Sequence, residues 1–275
     1  MERKESNWTL LPFCAVAAAA AAVLSWGCGF RGAALIGMFA VFCIAGFFAS
    51  LLLYVLILGA VALFVDKSKP QEGYAPFYNA MVTFVMGLVP ALMRVRIHIA
   101  GAEKIPAEGR FLLVGNHRSA FDPLVTGWAL RRTRLAFVSK PENLAIPVVG
   151  EFVHKANFLA IDRENDRAAL KTILEAARRI REGLISYGIY PEGTRNTGER
   201  LLPFRNGAFK IAQRAKAPIV VAVTRGTDLV RKNFPWKPTD VYLNFCAVLD
   251  TEAVAGKKTG EIGEEVRKCM NFANC

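Results

Sequence analysis

Histidine is scarce in this chain, with three residues in 275. Chemistry that needs a base near neutral pH therefore has few candidates. The six cysteines, Cys14, Cys28, Cys43, Cys246, Cys269 and Cys275, form no CxxC pair. Neither a metal site nor a disulfide framework is indicated. No Gly-x-Ser-x-Gly elbow occurs, which argues against a serine hydrolase. Internal repeats and low-complexity linkers are absent as well. Acidic residues number 23 against 35 Lys and Arg, a net charge of +12, yet 53% of the residues are hydrophobic. That apolar content excludes intrinsic disorder. The length allows one domain with its own core, plus an accessory segment.

Charge is missing from the front of the chain. Ser6 to Phe30 carries none, and Gly32 to Val65 is a second uncharged run of 34 residues. Residues 1–65 are net +1 and residues 66–275 net +11. A crossing needs about 20 apolar residues, and a cleaved signal peptide has an apolar region of only about 7–15. Trp8 and Trp26 bracket the first run at interface positions. Trp26 to Gly32 reads as a turn with Arg31 at its tip. We expect residues 1–65 to form a membrane segment, a helical hairpin with one crossing near 8–26 and another within 33–65. The alternative is one crossing preceded by a surface-lying helix, because Ala17 to Ala22 is only weakly apolar. Lys67, Lys69, Arg94 and Arg96 follow the second run, so the positive-inside rule puts residues 66–275 in the cytoplasm. Residues 66–93 contain a third uncharged stretch, Gly73 to Met93. There Phe77, Met81, Phe84, Leu88 and Leu92 recur at helical spacing, as in either a core helix or an interfacial one.

Residues 94–275 alternate strand and helix patterns, so the fold class is α/β. Strands are expected at 94–99, 111–114, 136–138, 185–190, 218–223 and 241–249, and helices at 165–182, 206–216 and 261–272. In open α/β sheets, chemistry gathers at the carboxyl ends of strands. Asn116-His117-Arg118-Ser119-Ala120-Phe121-Asp122-Pro123 follows the strand at 111–114 directly. Asp122-Pro123 reads as a helix start, with Asp as N-cap. Asp122 is also placed to turn back to the His117 imidazole and leave the other ring nitrogen free as a base. His98, in an alternating strand, and His154, beside Lys155, read as ordinary structural residues. Tyr190-Pro191-Glu192-Gly193-Thr194-Arg195-Asn196 follows another buried strand. Its Gly193 permits a tight path, and its Arg195 suits bidentate phosphate binding. Ile161-Asp162-Arg163 offers a second phosphate ligand or an ion-pair partner, and Lys140 is a further candidate cation.

In order, Asn116-His117 with Asp122, Ile161-Asp162-Arg163, Pro191-Glu192-Gly193-Thr194-Arg195 and Pro218-Ile219-Val220 resemble the four motifs of the glycerophospholipid acyltransferases. The likeness is strongest to the lysophosphatidic acid acyltransferases and runs from about residue 90 to 250. The run from Gly198 through Glu199 to Ala208 also resembles the segment after the family's third motif. The chain departs from the pattern at Asn157, Ala160 and Val221, where the family has Gly, Phe and Pro.

The resemblance implies a mixed, largely parallel sheet flanked by helices, behind an N-terminal transmembrane segment. It implies transfer of a fatty acyl group from an acyl carrier protein or coenzyme A thioester to the sn-2 hydroxyl of lysophosphatidic acid, giving phosphatidic acid. His117 would be the general base and Asp122 its orienting partner. Lys140, Arg163 and Arg195 would bind the acceptor phosphate, and Glu192, Gly193 and Thr194 would shape the glycerol site. No metal, cofactor or covalent enzyme intermediate is implied. The expected setting is a membrane, the bacterial cytoplasmic membrane, with the catalytic domain on its cytoplasmic side. A different lysolipid acceptor is the nearest alternative. A silent membrane-anchored binding protein is more distant, since it has no chemical reason to keep His117 and Asp122. No nucleic-acid partner is expected: no aromatic-basic module occurs, and a basic face suits anionic lipid.

Overall fold

The computed structural model describes residues 2–198 and 200–272; Glu199 and Cys275 lie outside them. The described chain divides into two compact units, Asn7–Asp66 and Met1–Ser6 with Lys67–Cys275.

The first unit is a pair of helices, α1 (Leu11–Gly27) and α2 (Gly32–Ala62), joined by four residues. So short a link makes them antiparallel neighbours. Phe13 of α1 meets Phe47 and Tyr54 of α2 edge-on, at 6.5 and 5.6 Å. Most apolar side chains of α2 point outward, among them Ile36, Ile44, Leu52 and Ile57. Among the described residues α2 alone is long and apolar enough to cross a membrane. With 17 residues, α1 spans about 25 Å, short of a hydrocarbon core of about 30 Å.

The second unit is built on one eight-stranded sheet. In chain order it runs β1 (Arg3–Lys4), α3 (Pro76–Leu92), β2 (Val95–Ala100), β3 (Leu112–Gly115), α4 (Asp122–Ala129), β4 (Leu135–Ser139), α5 (Pro141–Leu144), α6 (Val149–Lys155), β5 (Leu159–Ala160), α7 (Asp166–Arg181), β6 (Ser186–Ile189), α8 (Lys210–Ala215), β7 (Ile219–Arg225), α9 (Val230–Asn233), β8 (Thr239–Leu249), α10 (Thr251–Val254) and α11 (Thr259–Phe272). The sheet order is β1-β2-β8-β7-β3-β6-β4-β5. Pairings from β7 through β3, β6 and β4 to β5 are all parallel. The fold is therefore mixed α/β with a largely parallel half. Central β3 and β6 are buried along their whole length, as parallel strands covered on both faces must be. Leu112, Val114 and Val221 turn to one face and pack with Ile173, Ile180, Ile211 and Ile262 of α7, α8 and α11. Phe137 takes the other face by strand alternation. Helix α3 packs against α4, its Gly87 lying under the Trp128 ring. Val82, Met86 and Leu88 of α3 are buried while Phe77 is exposed.

Two short strands carry little sequence signal. Strand β1 pairs antiparallel with β2, Arg3 opposite Ile99 and Lys4 opposite His98. Glu5 accepts from Arg131 and its N–H donates to the Ile97 carbonyl at 2.7 Å. Strand β5 is two residues beside β4.

The parallel half positions the site. Strands β7, β3, β6, β4 and β5 point the same way, so their carboxyl ends form one edge of the sheet. The loops leaving that edge carry, in spatial order, Thr224–Thr227, Asn116–Phe121, Tyr190–Asn196, Lys140 and Asp162–Arg163.

Candidate active site

Asp122 is the first helical residue of α4 and not its N-cap; Phe121 holds that place, with no side-chain cap. The carboxylate turns back instead. Its Oδ2 accepts from His117 Nδ1 at 2.8 Å and from the N–H groups of Arg118 and Ser119, both at 2.7 Å. Its Oδ1 accepts from the Thr227 hydroxyl at 2.5 Å. Four donors satisfy a carboxylate with no exposed surface, the condition for burying a charge without large penalty. Because Asp122 accepts, His117 Nδ1 carries the proton, which leaves Nε2 with its lone pair. The His117 side chain is 18% exposed, so that edge is reachable.

The imidazole is held on its face too. Tyr190 stacks on it at 4.5 Å and 16°, and Phe137 stacks behind Tyr190 at 6.0 Å and 3°. Burial, and then the Asp122 charge, raise the Tyr190 hydroxyl well above its usual pKa, so it stays neutral.

Glu192 is buried and structural in its contacts. Its Oε1 accepts from the His117 N–H at 3.0 Å, and its Oε2 accepts from Asn196 Nδ2 at 3.0 Å and the Leu202 N–H at 2.9 Å. The Asn196 N–H donates to the His117 carbonyl at 2.7 Å. Two loops far apart in sequence thus clamp the histidine backbone. On the other side, Asn116 spans to β7, accepting from the Thr224 N–H at 2.7 Å and donating to the Thr224 carbonyl at 3.0 Å. Arg118 donates to Asp228 at 3.0 Å. Burial opposes ionisation of Asp228, but the Arg118 hydrogen bond and charge outweigh it and hold the carboxyl below its usual range. A polar cavity of about 360 Å³ lies on this β7 side, bordered by Asn116, Arg118, Glu192, Arg200, Arg225 and Asp228.

The cations divide. Arg163 stands beside Gly193, and so does Arg205, whose Nη1 donates to the Arg163 carbonyl at 3.3 Å. Burial first, and the like charge of Arg205 second, lower the Arg163 pKa, while Glu142 of α5 acts against them. Two guanidinium groups pressed together in this way favour an anion between them. Gly193 has φ +75°, and a Cβ there would come within 3.0 Å of Arg205 Nε. Thr194 and Arg195 are exposed on the same loop. Lys140 is exposed at the start of α5 and makes no side-chain hydrogen bond or ion pair among the described residues. The structure therefore joins His117, Asp122 and Glu192 directly, and sets Arg163 against the Gly193 turn. It gives Thr194, Arg195 and Lys140 no contact to them. Sequence reasoning missed Thr227, Tyr190, Asn116 and Arg205. Asn116, Tyr190 and Arg205 lie within the quoted motifs and runs but carried no assigned role, and Thr227 lies outside them.

Comparison with known proteins defines the class. Residues 96–225 match the acyltransferase family model. That match assigns residues 96–225 to an acyltransferase domain. Among curated relatives, the 1-acyl-sn-glycerol-3-phosphate acyltransferase of Limnanthes alba is 32% identical over 60% of this chain and 59% of its own. The enzymes of that name from Haemophilus influenzae and Escherichia coli are 32% and 30% identical, over 59% and 58% of this chain and 66% and 64% of theirs. The chain thus spans about three fifths of the length of the first relatives it matches. In fold it is similar to the crystal structure of PlsC, the 1-acyl-sn-glycerophosphate (LPA) acyltransferase of Thermotoga maritima. The TM-score is 0.58 at 20% identity, covering 81% of this chain and 87% of that one.

Proposed function

We propose that this protein is an O-acyltransferase that acylates the sn-2 hydroxyl of lysophosphatidic acid to give phosphatidic acid. The observation that carries the reading is the His117 imidazole, fixed through Nδ1 by a buried, four-donor Asp122 and open at Nε2. It stands on the same sheet edge as the Arg163/Arg205 pair. A positioned base beside an anion site suits an acceptor that carries both a hydroxyl and a phosphate. The relatives' names supply lysophosphatidic acid as the acceptor.

In the proposed step His117 Nε2 takes the hydroxyl proton as the acceptor oxygen attacks the thioester carbonyl. The C–O bond forms, the C–S bond breaks, and the imidazolium returns its proton to the departing thiolate. Asp122 stabilises the imidazolium without taking its proton. Arg163 and Arg205 hold the phosphate, with Lys140 and Arg195 exposed at the same edge to draw it in. Glu192 acts through backbone, fixing the His117 loop and the turn at Gly193. The donor is an acyl thioester of acyl carrier protein or coenzyme A. The protein works at a membrane, held by its apolar N-terminal helices, with the catalytic domain on the cytoplasmic side.

The test is thiol release from donor thioesters in a matrix of acyl-carrier-protein and coenzyme A donors against lysolipid acceptors. Lysophosphatidic acid should be preferred over acceptors without a terminal phosphomonoester. His117→Ala should lower turnover by about 10²–10⁴-fold while keeping the native circular dichroism spectrum. Wild-type turnover in that variant would exclude the mechanism.

A further inference from the structure

The segment between β4 and α6 is built against the usual rule for surfaces. Leu144-Ala145-Ile146-Pro147-Val148-Val149 is six apolar residues in a row. Ile146 is 45% and Val149 49% exposed, and Ala145 and Pro147 are exposed as well. A run of this kind on the outside of a domain is a defect unless it has a use.

Its backbone is shaped to present these side chains. Val148 has φ 67° and ψ −53°, and the Val149 N–H donates to the Pro147 carbonyl at 2.8 Å. That is a γ-turn of the rare strained kind, on a β-branched residue for which positive φ is a true outlier. Strain of this sort persists only where the surroundings impose it, and here they do. Gly150 lies so close under Leu144 that a Cβ would come within 2.1 Å of its carbonyl oxygen. Just beyond, α6 is anchored through Phe152, which is buried and meets Tyr78 of α3 edge-on at 5.5 Å. Glu151 pairs with Lys67 at 2.6 Å.

Position supplies the partner. Strand β4 lies between β6 and β5, so the loop leaves the same sheet edge as the Glu192–Arg195 turn and Arg163. Glu142 of α5 is near enough to act on the Arg163 charge, and exposed Lys140 opens the same helix. Apolar tips beside unpaired cations match the layering of a lipid leaflet, hydrocarbon below and anionic phosphate above. The same chain carries α2, long and apolar enough for a bilayer.

We propose that the 144–149 loop is a lipid-contact element. It inserts Ile146 and Val149 into the acyl region of the leaflet and brings Lys140 and Arg163 to the phosphate level. A membrane-resident acceptor can then reach the arginines without its chain leaving the lipid. The inference rests on the acyltransferase reading only for the identity of that acceptor.

The experiment uses the full chain in vesicles of phosphatidylethanolamine and phosphatidylglycerol. An encoded fluorescent amino acid is placed at position 146 or, as control, at exposed position 132 before β4. Lipids brominated along their acyl chains should quench position 146 and spare position 132. Quenching of neither, or of both alike, overturns the proposal, as does protection of position 146 only when a carrier protein is added. A second measurement compares a bilayer-resident acceptor with a short-chain monomeric one. Ile146→Glu with Val149→Glu should lower the ratio of the two turnovers about tenfold. An unchanged ratio overturns the proposal, whether both turnovers fall together or neither does. If the unsubstituted protein releases no thiol, the acyltransferase reading fails and the quenching result alone judges the loop.

Discussion

At the scale of single residues, the site is a hydrogen-bonding problem solved around one carboxylate. The Thr227 hydroxyl donates to Asp122 Oδ1, and the contact is buried. Thr227→Val keeps the shape and removes the donor. A hydrogen bond to a charged group contributes about 1.5–3 kcal/mol, so kcat should fall by roughly tenfold or more with acceptor KM unchanged. An unchanged kcat would mean that Asp122 orients His117 without this support. Gly193→Ala tests the anion site in the opposite way. Positive φ and the contact with Arg205 should displace a guanidinium and raise acceptor KM several-fold, at a backbone cost of about 1 kcal/mol. A fall in kcat alone would place Gly193 in the chemical step instead. Much of this was legible in the chain. A histidine directly after a buried strand, with a carboxylate five residues on, can be read without coordinates. The partners Thr227 and Asn116–Thr224 cannot, because they bridge 105 and 108 residues through side chains common in any surface loop. Tyr190 was equally hidden, since stacking on His117 depends on β3 and β6 being neighbours.

At the scale of elements, the sheet edge has to be held in register, and α7 does part of that work. The apolar face of α7 could be read from its spacing, and the observed helix, Asp166–Arg181, lies within one residue of the expected bounds. Its buried cation could not. Arg179 is almost fully covered, pairs with Glu175 at 2.6 Å and touches the Tyr187 hydroxyl of β6 at 3.4 Å. A hydrogen bond from Arg178, burial acting in opposition, and a hydrogen bond from Arg179 together take the Glu175 carboxyl from 4.5 to about 2. A depressed carboxylate contributes stability above its unfolded pKa and loses it as the pH falls through the folded one. Glu175→Gln should therefore destabilise the protein at pH 7 by about 1–2 kcal/mol, allowing for solvent screening of a partly exposed group. The gap from the unsubstituted protein should close as the pH is lowered from 4.5 to about 2. Denaturant unfolding across that range measures it, and a gap of constant size would assign the effect to packing alone. Strand β5 shows the limit of pattern reading at this scale. Two residues give no alternation to detect, and β5 exists because β4 offers it an unpaired edge.

At the scale of the whole molecule, the two-residue strand β1 constrains the membrane topology. Residues 3 and 4 pair with β2, and Glu5 is tied to Arg131 and to the Ile97 carbonyl. The chain thus leaves the second unit at about residue 6 and returns to it at residue 67. We expect α1 and α2, lying between these two points, to cross a bilayer an even number of times. A single crossing preceded by a surface-lying helix, the other arrangement the apolar runs allow, would put β1 and β2 on opposite sides and require their pairing to break. Hydropathy alone could not have made this argument, because β1 is a charged dipeptide with no strand pattern of its own. Cys28, exposed in the α1–α2 turn, separates the two remaining cases. Labelling by an impermeant thiol reagent from the face opposite the domain reports two crossings, and labelling from the domain side reports none. The parity itself is tested with protease-cleavable tags placed before β1 and after α11. Both tags should be cut by protease added to one face of sealed vesicles, and both spared from the other. Cutting of one tag without the other would require β1 to leave the sheet, and with it the Glu5–Arg131 contact on which the even count depends.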